Sequence, residues 1–177
     1  MALLPILETP DPRLRAVSTP VAEVTDAHRA LIADMFDTMY DAPGIGLAAI
    51  QVGVADRLLV IDLQEDEDAD GKPVRNPRVF INPELFDAST ERSSYNEGCL
   101  SIPDQFAEVE RPASVGVRWL DEQGAAHEAR VDGMLATCLQ HEVDHLNGVL
   151  FIDHLSRLKR DMVMRKLEKT RRANKAA

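Results

Sequence analysis

The chain has 177 residues, 45% of them hydrophobic, and a formal net charge of −10 at pH 7. This length and composition fit a single domain, residues 1–177, that buries an apolar core. Two cysteines are too few for a disulfide framework, and no stretch approaches the roughly 18 apolar residues of a membrane-spanning helix. Because the N-terminus lacks the basic and apolar regions of a secretion signal, we expect a cytoplasmic protein with no membrane partner.

The charge is unevenly distributed along the chain. Residues 156–177 hold nine Lys or Arg against two acids, a net +7, which leaves −17 on the rest. The acidic body disfavours general nucleic-acid binding, whereas the basic C-terminus could dock on an anionic surface such as RNA. A solvated helix without a partner explains the same charges equally well.

The first part of the chain predicts an extended segment followed by one helix. Prolines at positions 5, 10, 12 and 20 favour extended or turn-like backbone. Thr25 is a suitable N-cap, and Pro43 with Gly44 ends the helical pattern. Apolar residues recur at helical spacing between these limits, at Leu31, Ile32, Met35, Phe36 and Met39. We expect this helix to be structural.

The middle of the chain predicts short strands. Aliphatic and β-branched runs predict strands at residues 58–63, 79–82, 115–120 and 128–131. The last two flank residues 121–124, which have the composition of a hairpin turn. Residues 65–77 are acidic and contain glycine and proline, so we expect an exposed loop there.

Two helices are predicted near the C-terminus. Residues 133–147 are apolar on most sides except for their His and Glu residues, which indicates a buried helix with polar groups facing a site. Gly148 ends it. The last helix is predicted from residue 156 to about 172, with four apolar candidates for contact with the body: Leu158, Met162, Met164 and Leu167.

The strongest chemical signal is His141-Glu142-Val143-Asp144-His145 on the buried helix. The two histidines are one helical turn apart, roughly 6 Å along the axis, so both imidazoles can bind one ion. A catalytic site of this type leaves a position for water, and Glu142 is placed to take the proton of that water. Two histidines that merely bond to neighbouring groups are a less favoured interpretation, given the intervening glutamate and the apolar helix.

A third protein ligand has to be found, and the residues alone leave it open. Phe151 stands where metzincin peptidases have a third histidine, which excludes that pattern. Glu168 is the glutamate that a thermolysin-like site would need, but it lies in the basic helix. Cys138 is about 10 Å along the helix from His145, too far for one coordination sphere. Cys99, in a glycine-flanked loop, is a further and equally weak candidate.

Three segments taken together resemble the peptide deformylase family. They are Gly44-Ile45-Gly46-Leu47-Ala48-Ala49-Ile50-Gln51, Glu97-Gly98-Cys99-Leu100-Ser101 and His141-Glu142-Val143-Asp144-His145. The resemblance covers most of the chain, from residues 10–15 to a basic C-terminal helix typical of bacterial members. It implies an α+β fold, with small antiparallel β-sheets surrounding a central metal-binding helix and with N-terminal and C-terminal helices.

The resemblance also implies a metal site. By its motifs, Cys99, His141 and His145 would bind one divalent ion, and Glu142 would act first as base and then as acid. One thiolate and two neutral imidazoles suit iron(II), zinc, nickel and cobalt. Iron(II) is the native ion that the resemblance implies.

The implied reaction removes the formyl group from the N-terminal formyl-methionine of a newly made polypeptide and releases formate. Negative charge develops on the formyl oxygen during attack and requires hydrogen-bond donors. In the family these donors are the side-chain amide at the position of Gln51 and the backbone N–H at the position of Leu100.

The glycine-rich segment is expected to bind substrate. Gly44 and Gly46 do not indicate nucleotide binding, because no third glycine or following Lys-Ser/Thr completes a phosphate-binding motif. Their small size would let the substrate pair with this segment as an added strand. Ile45, Leu100 and Cys138 are candidates for the wall of the methionine pocket, next to Gly46.

Three further positions concern the surroundings of the site. The family pattern implies a structural ion pair between Glu97 and Arg111. Phe106 stands where many bacterial members have an arginine near the pocket mouth, so the preference beyond methionine stays open.

Two other functions fit parts of the sequence. A metallo-endopeptidase would use the same histidines, cleave internal amide bonds and tolerate Cys99→Ala. A non-catalytic ribosome-associated protein would work through the basic C-terminal helix alone. If an enzyme uses that helix to dock on ribosomal RNA, deleting residues from about 160 onward should abolish ribosome binding and spare turnover of a short peptide.

Overall fold

The computed structural model describes residues 2–176, so the first and last residues of the predicted domain lie outside the described range. The described residues form three α-helices: α1 (Asp26–Asp41), α2 (Gly133–Leu146) and α3 (Arg157–Ala176). Thr25 precedes α1 as predicted, and its backbone N–H donates to His28 Nδ1 at 3.1 Å. The predicted bounds of α1 and α2 are confirmed, whereas α3 continues beyond the predicted end near residue 172.

The strands of the described residues form two antiparallel sheets. The larger sheet has five strands in the order β1-β2-β3-β6-β7, which are β1 (Gly46–Ala48), β2 (Leu58–Ile61), β3 (Arg78–Phe86), β6 (Ser114–Leu120) and β7 (Ala126–Asp132). The smaller sheet is a hairpin of β4 (Arg92–Cys99) and β5 (Ile102–Pro112). All four predicted strands are present, and this mixture of helices and small antiparallel sheets confirms the α+β fold.

The β4–β5 hairpin was missed by the sequence prediction, which placed Cys99 in a loop. Cys99 is the last residue of β4 and pairs with Ile102 across the turn. The first five residues of β4 are exposed and mostly polar, so they carry no alternation of apolar and polar residues. Pairing with β5, a tertiary contact, therefore defines this strand.

The five-stranded sheet is covered by α1 on one face and by α2 on the other. Strand β2 shows the division, because its successive side chains point to opposite faces. Leu58 and Val60 pack with Met35 and Met39 of α1. The alternate residues of β2, Leu59 and Ile61, pack with the apolar residues of α2. Helix α2 is thus fixed against a rigid sheet.

A separate apolar cluster supports the hairpin. It joins β5 to the 3-10 turn Phe151–His154 and to one face of α3, through Ile102, Val109, Leu150, Phe151, Ile152, Val163 and Leu167. Of the four predicted contacts of α3, Leu167 is buried and Met164 is partly buried, but Leu158 and Met162 are exposed. Val163, which the sequence analysis did not predict, is buried in this cluster instead.

No helix within residues 2–176 is both long enough and apolar enough to cross a membrane.

Candidate active site

Three of the buried polar side chains of helix α2 lie close together: His141, Glu142 and His145. His141 and His145 are separated by one helical turn, and their ring centroids lie 5.0 Å apart. Glu142 is buried beside them, with its Oε1 4.0 Å from His141 Nε2. The spacing predicted from sequence is therefore realised on one helix.

Cys99 reaches the same point from the end of β4. Its Sγ lies 3.3 Å from His145 Nε2, and the donor atoms of Cys99, His141 and His145 all lie within 4.8 Å of one another. In the part of the chain that the structure describes, this is the one cluster of three such side chains close enough to share an ion. Cys138 lies outside the cluster, as the helix geometry predicted.

The donor set fits a divalent metal ion. One thiolate and two neutral imidazoles are soft and borderline ligands, and three protein ligands leave a coordination position for water. Burial lowers the pKa of His145 well below its ordinary value, whereas hydrogen bonds to Cys99 and Glu97 outweigh burial and raise the pKa of His141. Oε2 of Glu142 is buried without a hydrogen-bond partner among the described residues, as a base that receives a proton from water would be.

Burial also affects Glu142 itself. It is the largest cause that raises the pKa of this carboxyl group to about 7, with the nearby carboxylate of Glu97 acting in the same direction. A carboxyl group with such a pKa can both accept and release a proton near neutral pH.

Glu97 orients the first histidine. His141 Nδ1–H donates to Glu97 Oε1 at 2.8 Å, which leaves Nε2 as the atom that can face an ion. Arg111 holds the same carboxylate through two hydrogen bonds of 2.7 and 3.0 Å, so the Glu97–Arg111 pair is present. Burial alone would raise the pKa of Glu97, but the hydrogen bonds from His141 and Arg111 lower it below its ordinary value. The bond to His141 was not foreseen.

The charge network continues to the surface. Arg111 also donates to Asp144 Oδ2 at 2.8 Å, and the ring of His154 lies 2.7 Å from the same oxygen. The sequence analysis missed both contacts, although Asp144 stands between the two histidines of α2. Its carboxylate lies on the hairpin side of α2 and is bonded to Arg111.

Gln51 approaches the centre from the other side, in the 3-10 turn Ala49–Val52 that follows β1. Its Oε1 accepts a hydrogen bond from the Ala48 N–H at 2.9 Å. Its Nε2 donates to Ser101 Oγ at 3.0 Å and lies 3.6 Å from Cys99 Sγ. With the carbonyl oxygen bonded to Ala48, the amide nitrogen points toward Ser101 and Cys99.

A cavity of about 560 Å³ opens onto this centre. Its walls include the predicted site residues Ile45, Gly46, Gln51, Cys99, Leu100, Cys138, His141 and Glu142. A Cβ on Gly46 would come within 2.8 Å of Glu142 Oε1, so a side chain at that position would enter the space beside the carboxylate. Phe106 lies at the rim, 64% exposed. The N-terminal residues Ile6 and Glu8 also line the cavity, and no sequence signal identified them.

Comparison with known proteins agrees with this geometry. The family model for polypeptide deformylase matches residues 3–161. The chain belongs to the polypeptide deformylase family. A peptide deformylase from Rhizorhabdus wittichii is 76% identical over 177 residues, which are 100% of both chains. One from Zymomonas mobilis is 65% identical over 97% of each chain.

Solved structures show the same fold. A crystal structure of a peptide deformylase from Legionella pneumophila has 45% sequence identity and a TM-score of 0.89, with 99% of each chain covered. A peptide deformylase from Ehrlichia chaffeensis in complex with actinonin has 42% identity and a TM-score of 0.85, covering 96% of this chain and 98% of that one.

These relations confirm the predicted activity. The chain is a hydrolase that deformylates nascent peptides, and the endopeptidase alternative is not favoured. The family is metal-dependent, and Cys99, His141 and His145 form a group that could hold the ion.

Proposed function

We propose that Cys99, His141 and His145 hold one divalent ion, iron(II) in the cell, for hydrolysis of the formyl group of N-terminal formyl-methionine. When bound, the ion lowers the pKa of a water molecule and polarises the formyl carbonyl. The observation that carries the proposal is the convergence of three donor atoms within 4.8 Å beside the unpaired carboxylate oxygen of Glu142. Iron(II) is favoured within this ligand set by the family resemblance.

Glu142 moves the protons of the reaction. Its buried carboxylate accepts a proton from the attacking water and then delivers it to the leaving nitrogen of methionine. Its pKa of about 7 lets the carboxyl group hold that proton and release it again near neutral pH as the C–N bond breaks. Formate and a free N-terminal amine are the products.

Gln51 and Leu100 stabilise the developing negative charge on the formyl oxygen. The amide of Gln51 is fixed by Ala48 and Ser101, so it is oriented before substrate binds. The backbone N–H of Leu100 is the second donor, and Leu100 borders the same cavity. Fixed donors of this kind stabilise a transition state without having to reorganise.

The methionine side chain is proposed to enter the apolar part of the cavity, against Ile45 and Cys138. Strand β1 is at the edge of its sheet, so its outer side is available to pair with an extended peptide. Gly46 leaves room for that backbone next to Glu142.

The decisive test is formate release from formyl-Met-Ala by protein purified without oxygen and loaded with iron(II). The wild type should be active, and Glu142→Gln should lose activity by roughly 10²-fold to 10⁴-fold because proton transfer is lost. Cys99→Ala should lose the metal itself, measured as bound iron per chain. Absence of formate release by the loaded wild type would refute the proposal, and undiminished metal binding by Cys99→Ala would refute the ligand set.

The native ion can be tested separately. Protein isolated from cells without oxygen and without added metal should contain mainly iron, determined by elemental analysis. Exposure to air should lower the activity, since iron(II) and a thiolate are both oxidised. Zinc as the main ion in such a preparation would contradict the assignment.

We further propose that the enzyme works in the cytoplasm and that α3 docks on the ribosome. Six basic side chains of α3 are exposed and make no ion pair within residues 2–176: Arg157, Lys159, Arg165, Lys166, Lys169 and Lys175. They offer a polybasic surface to RNA phosphates. Deletion from residue 160 is an unsuitable test, because it would remove the buried Val163 and Leu167 and expose the cluster behind the hairpin.

A charge variant avoids this difficulty. Replacing Lys166, Lys169 and Lys175 by glutamine should weaken ribosome binding and flatten its dependence on salt concentration. Turnover of formyl-Met-Ala should stay unchanged, because these side chains lie outside the cavity.

The matched control removes the same charge from the body of the protein, as Lys72→Gln, Arg78→Gln and Arg92→Gln. These side chains are exposed, and their loss should leave ribosome binding unaffected. Equal weakening by the two triple variants would show that α3 is not the docking surface.

A further inference from the structure

The N-terminal segment is hydrogen-bonded to the backbone of Gln51 and to that of Ser101, whose hydroxyl group holds the Gln51 amide. The backbone N–H of Leu7 donates to the carbonyl oxygen of Gln51 at 2.7 Å. The backbone N–H of Thr9 donates to the carbonyl oxygen of Ser101 at 2.9 Å. The side chains of Gln51 and Ser101 are themselves joined by the 3.0 Å hydrogen bond described above. Residues 7–9 therefore link the backbone of Gln51 to the backbone of Ser101, the two residues whose side chains form that hydrogen bond.

The same segment forms part of the cavity wall. Ile6 and Glu8 line the cavity, and they alternate with the residues whose amides bond to Gln51 and Ser101. Thr9 is buried, with 5% of its surface exposed. A shift of this segment would thus be transmitted to the position of Gln51.

Arg171 of α3 fastens the segment from outside. Its Nη2 donates to the carbonyl oxygen of Thr9 at 2.5 Å and lies 3.2 Å from Glu8 Oε2. One helical turn earlier, Leu167 is 1% exposed and anchors α3 in the cluster behind the hairpin. The guanidinium group is therefore held where it meets the segment, and its two bonds are charge-assisted.

We propose that Arg171 is a positioning residue for the deformylation reaction, acting through residues 7–9 on Gln51, a role that rests on the donor function proposed for Gln51. The family model match ends at residue 161, so Arg171 lies beyond it. Arg171 also pairs with the carboxylate of Glu8 beside the cavity. The C-terminal helix thereby contributes to the reaction, although it supplies none of the three proposed metal ligands.

The first experiment compares Arg171→Ala with Arg172→Ala in the iron(II)-loaded enzyme. Arg172 pairs with Glu168 on the exposed side of the same helix and supplies the matched control. Arg171→Ala should lower kcat for formyl-Met-Ala by about threefold to thirtyfold, less than the roughly hundredfold effect of removing an oxyanion donor. KM should change by less than about twofold, because the methionine pocket is intact.

Rates are expressed per bound metal ion, so that a partly unfolded sample does not imitate a lower kcat. Arg171→Lys keeps a positively charged hydrogen-bond donor group, so its kcat should lie between those of Arg171→Ala and the wild type. Glu8→Gln removes the ion pair and leaves the bond to Thr9, so it should have a smaller effect than Arg171→Ala. If Arg171→Ala does not fold, Glu8→Gln still tests this tether, meaning the contact of Arg171 with Glu8 and Thr9.

The second experiment repeats Arg171→Ala in a Gln51→Ala background. If Arg171 acts by positioning Gln51, its loss should have no further effect on kcat once the amide is absent. The same fractional loss in both backgrounds would reveal a general structural role and overturn the proposal. Equal kcat for Arg171→Ala, Arg172→Ala and the wild type would overturn it as well.

The two proposals fail in different ways. An unchanged kcat in Gln51→Ala alone would refute the donor function of Gln51. A strong loss in Gln51→Ala together with full activity in Arg171→Ala would refute only the tether.

Discussion

The two sides of the active site are supported in different ways. On one side, α2 presents His141, Glu142 and His145 and packs on a five-stranded sheet with large apolar contacts. On the other side, the β4–β5 hairpin presents Cys99 and depends on a smaller apolar cluster that α3 completes. The distance between the sulfur of Cys99 and the two histidines is thus set by two separate parts of the core.

Buried charge distinguishes the sides further. The hairpin contributes Arg111 and Glu97, whose side chains are only 5% and 4% exposed. Arg111 also binds Asp144 of α2, so a single guanidinium group joins the hairpin to the helix. Breaking such a pair leaves an uncompensated charge in a poorly hydrated place. On the hairpin, the loss of one partner of this buried pair should therefore lower the free energy of unfolding more than the loss of one partner of an exposed pair.

The largest effect on stability is expected for Arg111→Ala. It should lower the free energy of unfolding by about 3–5 kcal/mol, because Glu97 is left buried without its cation. Metal affinity should also fall, by roughly tenfold to a hundredfold, since Glu97 orients His141. Urea unfolding and titration with metal would measure the two quantities.

Arg92→Ala is the control on the same hairpin. Arg92 and Glu110 form an exposed ion pair. Loss of this ion pair should change the free energy of unfolding by less than about 1 kcal/mol. Similar losses for Arg92→Ala and Arg111→Ala would remove the distinction between buried and exposed charge on this hairpin.

A second prediction concerns the apolar support from α3. Leu167→Ala should destabilise the protein by about 2–4 kcal/mol, because this fully buried side chain leaves a cavity behind the hairpin. Leu158→Ala, on the same helix but 71% exposed, should have an effect of about 0.5 kcal/mol or less. Thermal or urea unfolding of both variants would check the difference, and equal effects would show that α3 does not support the hairpin.

Apart from the two control variants, the smallest loss of stability is expected for Gly46→Ala, where β1 meets α2. The new methyl group would lie 2.8 Å from Glu142 Oε1 and 3.0 Å from Cys138 Sγ, so both side chains must move. We expect about 1–3 kcal/mol of destabilisation. The kcat should fall by tenfold or more, because Glu142 is displaced from its position. Full activity with formyl-Met-Ala would show that the carboxylate tolerates the displacement.

The same two sides differ in how well the sequence predicted them. Helix α2 could be recognised because its apolar pattern and its His-Glu-His spacing are local properties of one segment. Strand β4 could not, because its exposed polar residues lack a periodic pattern and acquire their conformation by pairing with β5. Cys99 was accordingly assigned by family resemblance, while its place at a strand end came from the structure.

The sequence by itself determined the chemistry of the site: two histidines and a glutamate on one helical turn, with a cysteine and a glutamine in recognisable segments. The tertiary structure decided which groups, distant in the sequence, hydrogen-bond around these residues. The bond between Glu97 and His141, the link from Arg111 to Asp144 and the tether from Arg171 to Thr9 join residues 33 to 162 positions apart. Such contacts follow from packing of separate elements, which local spacing does not specify.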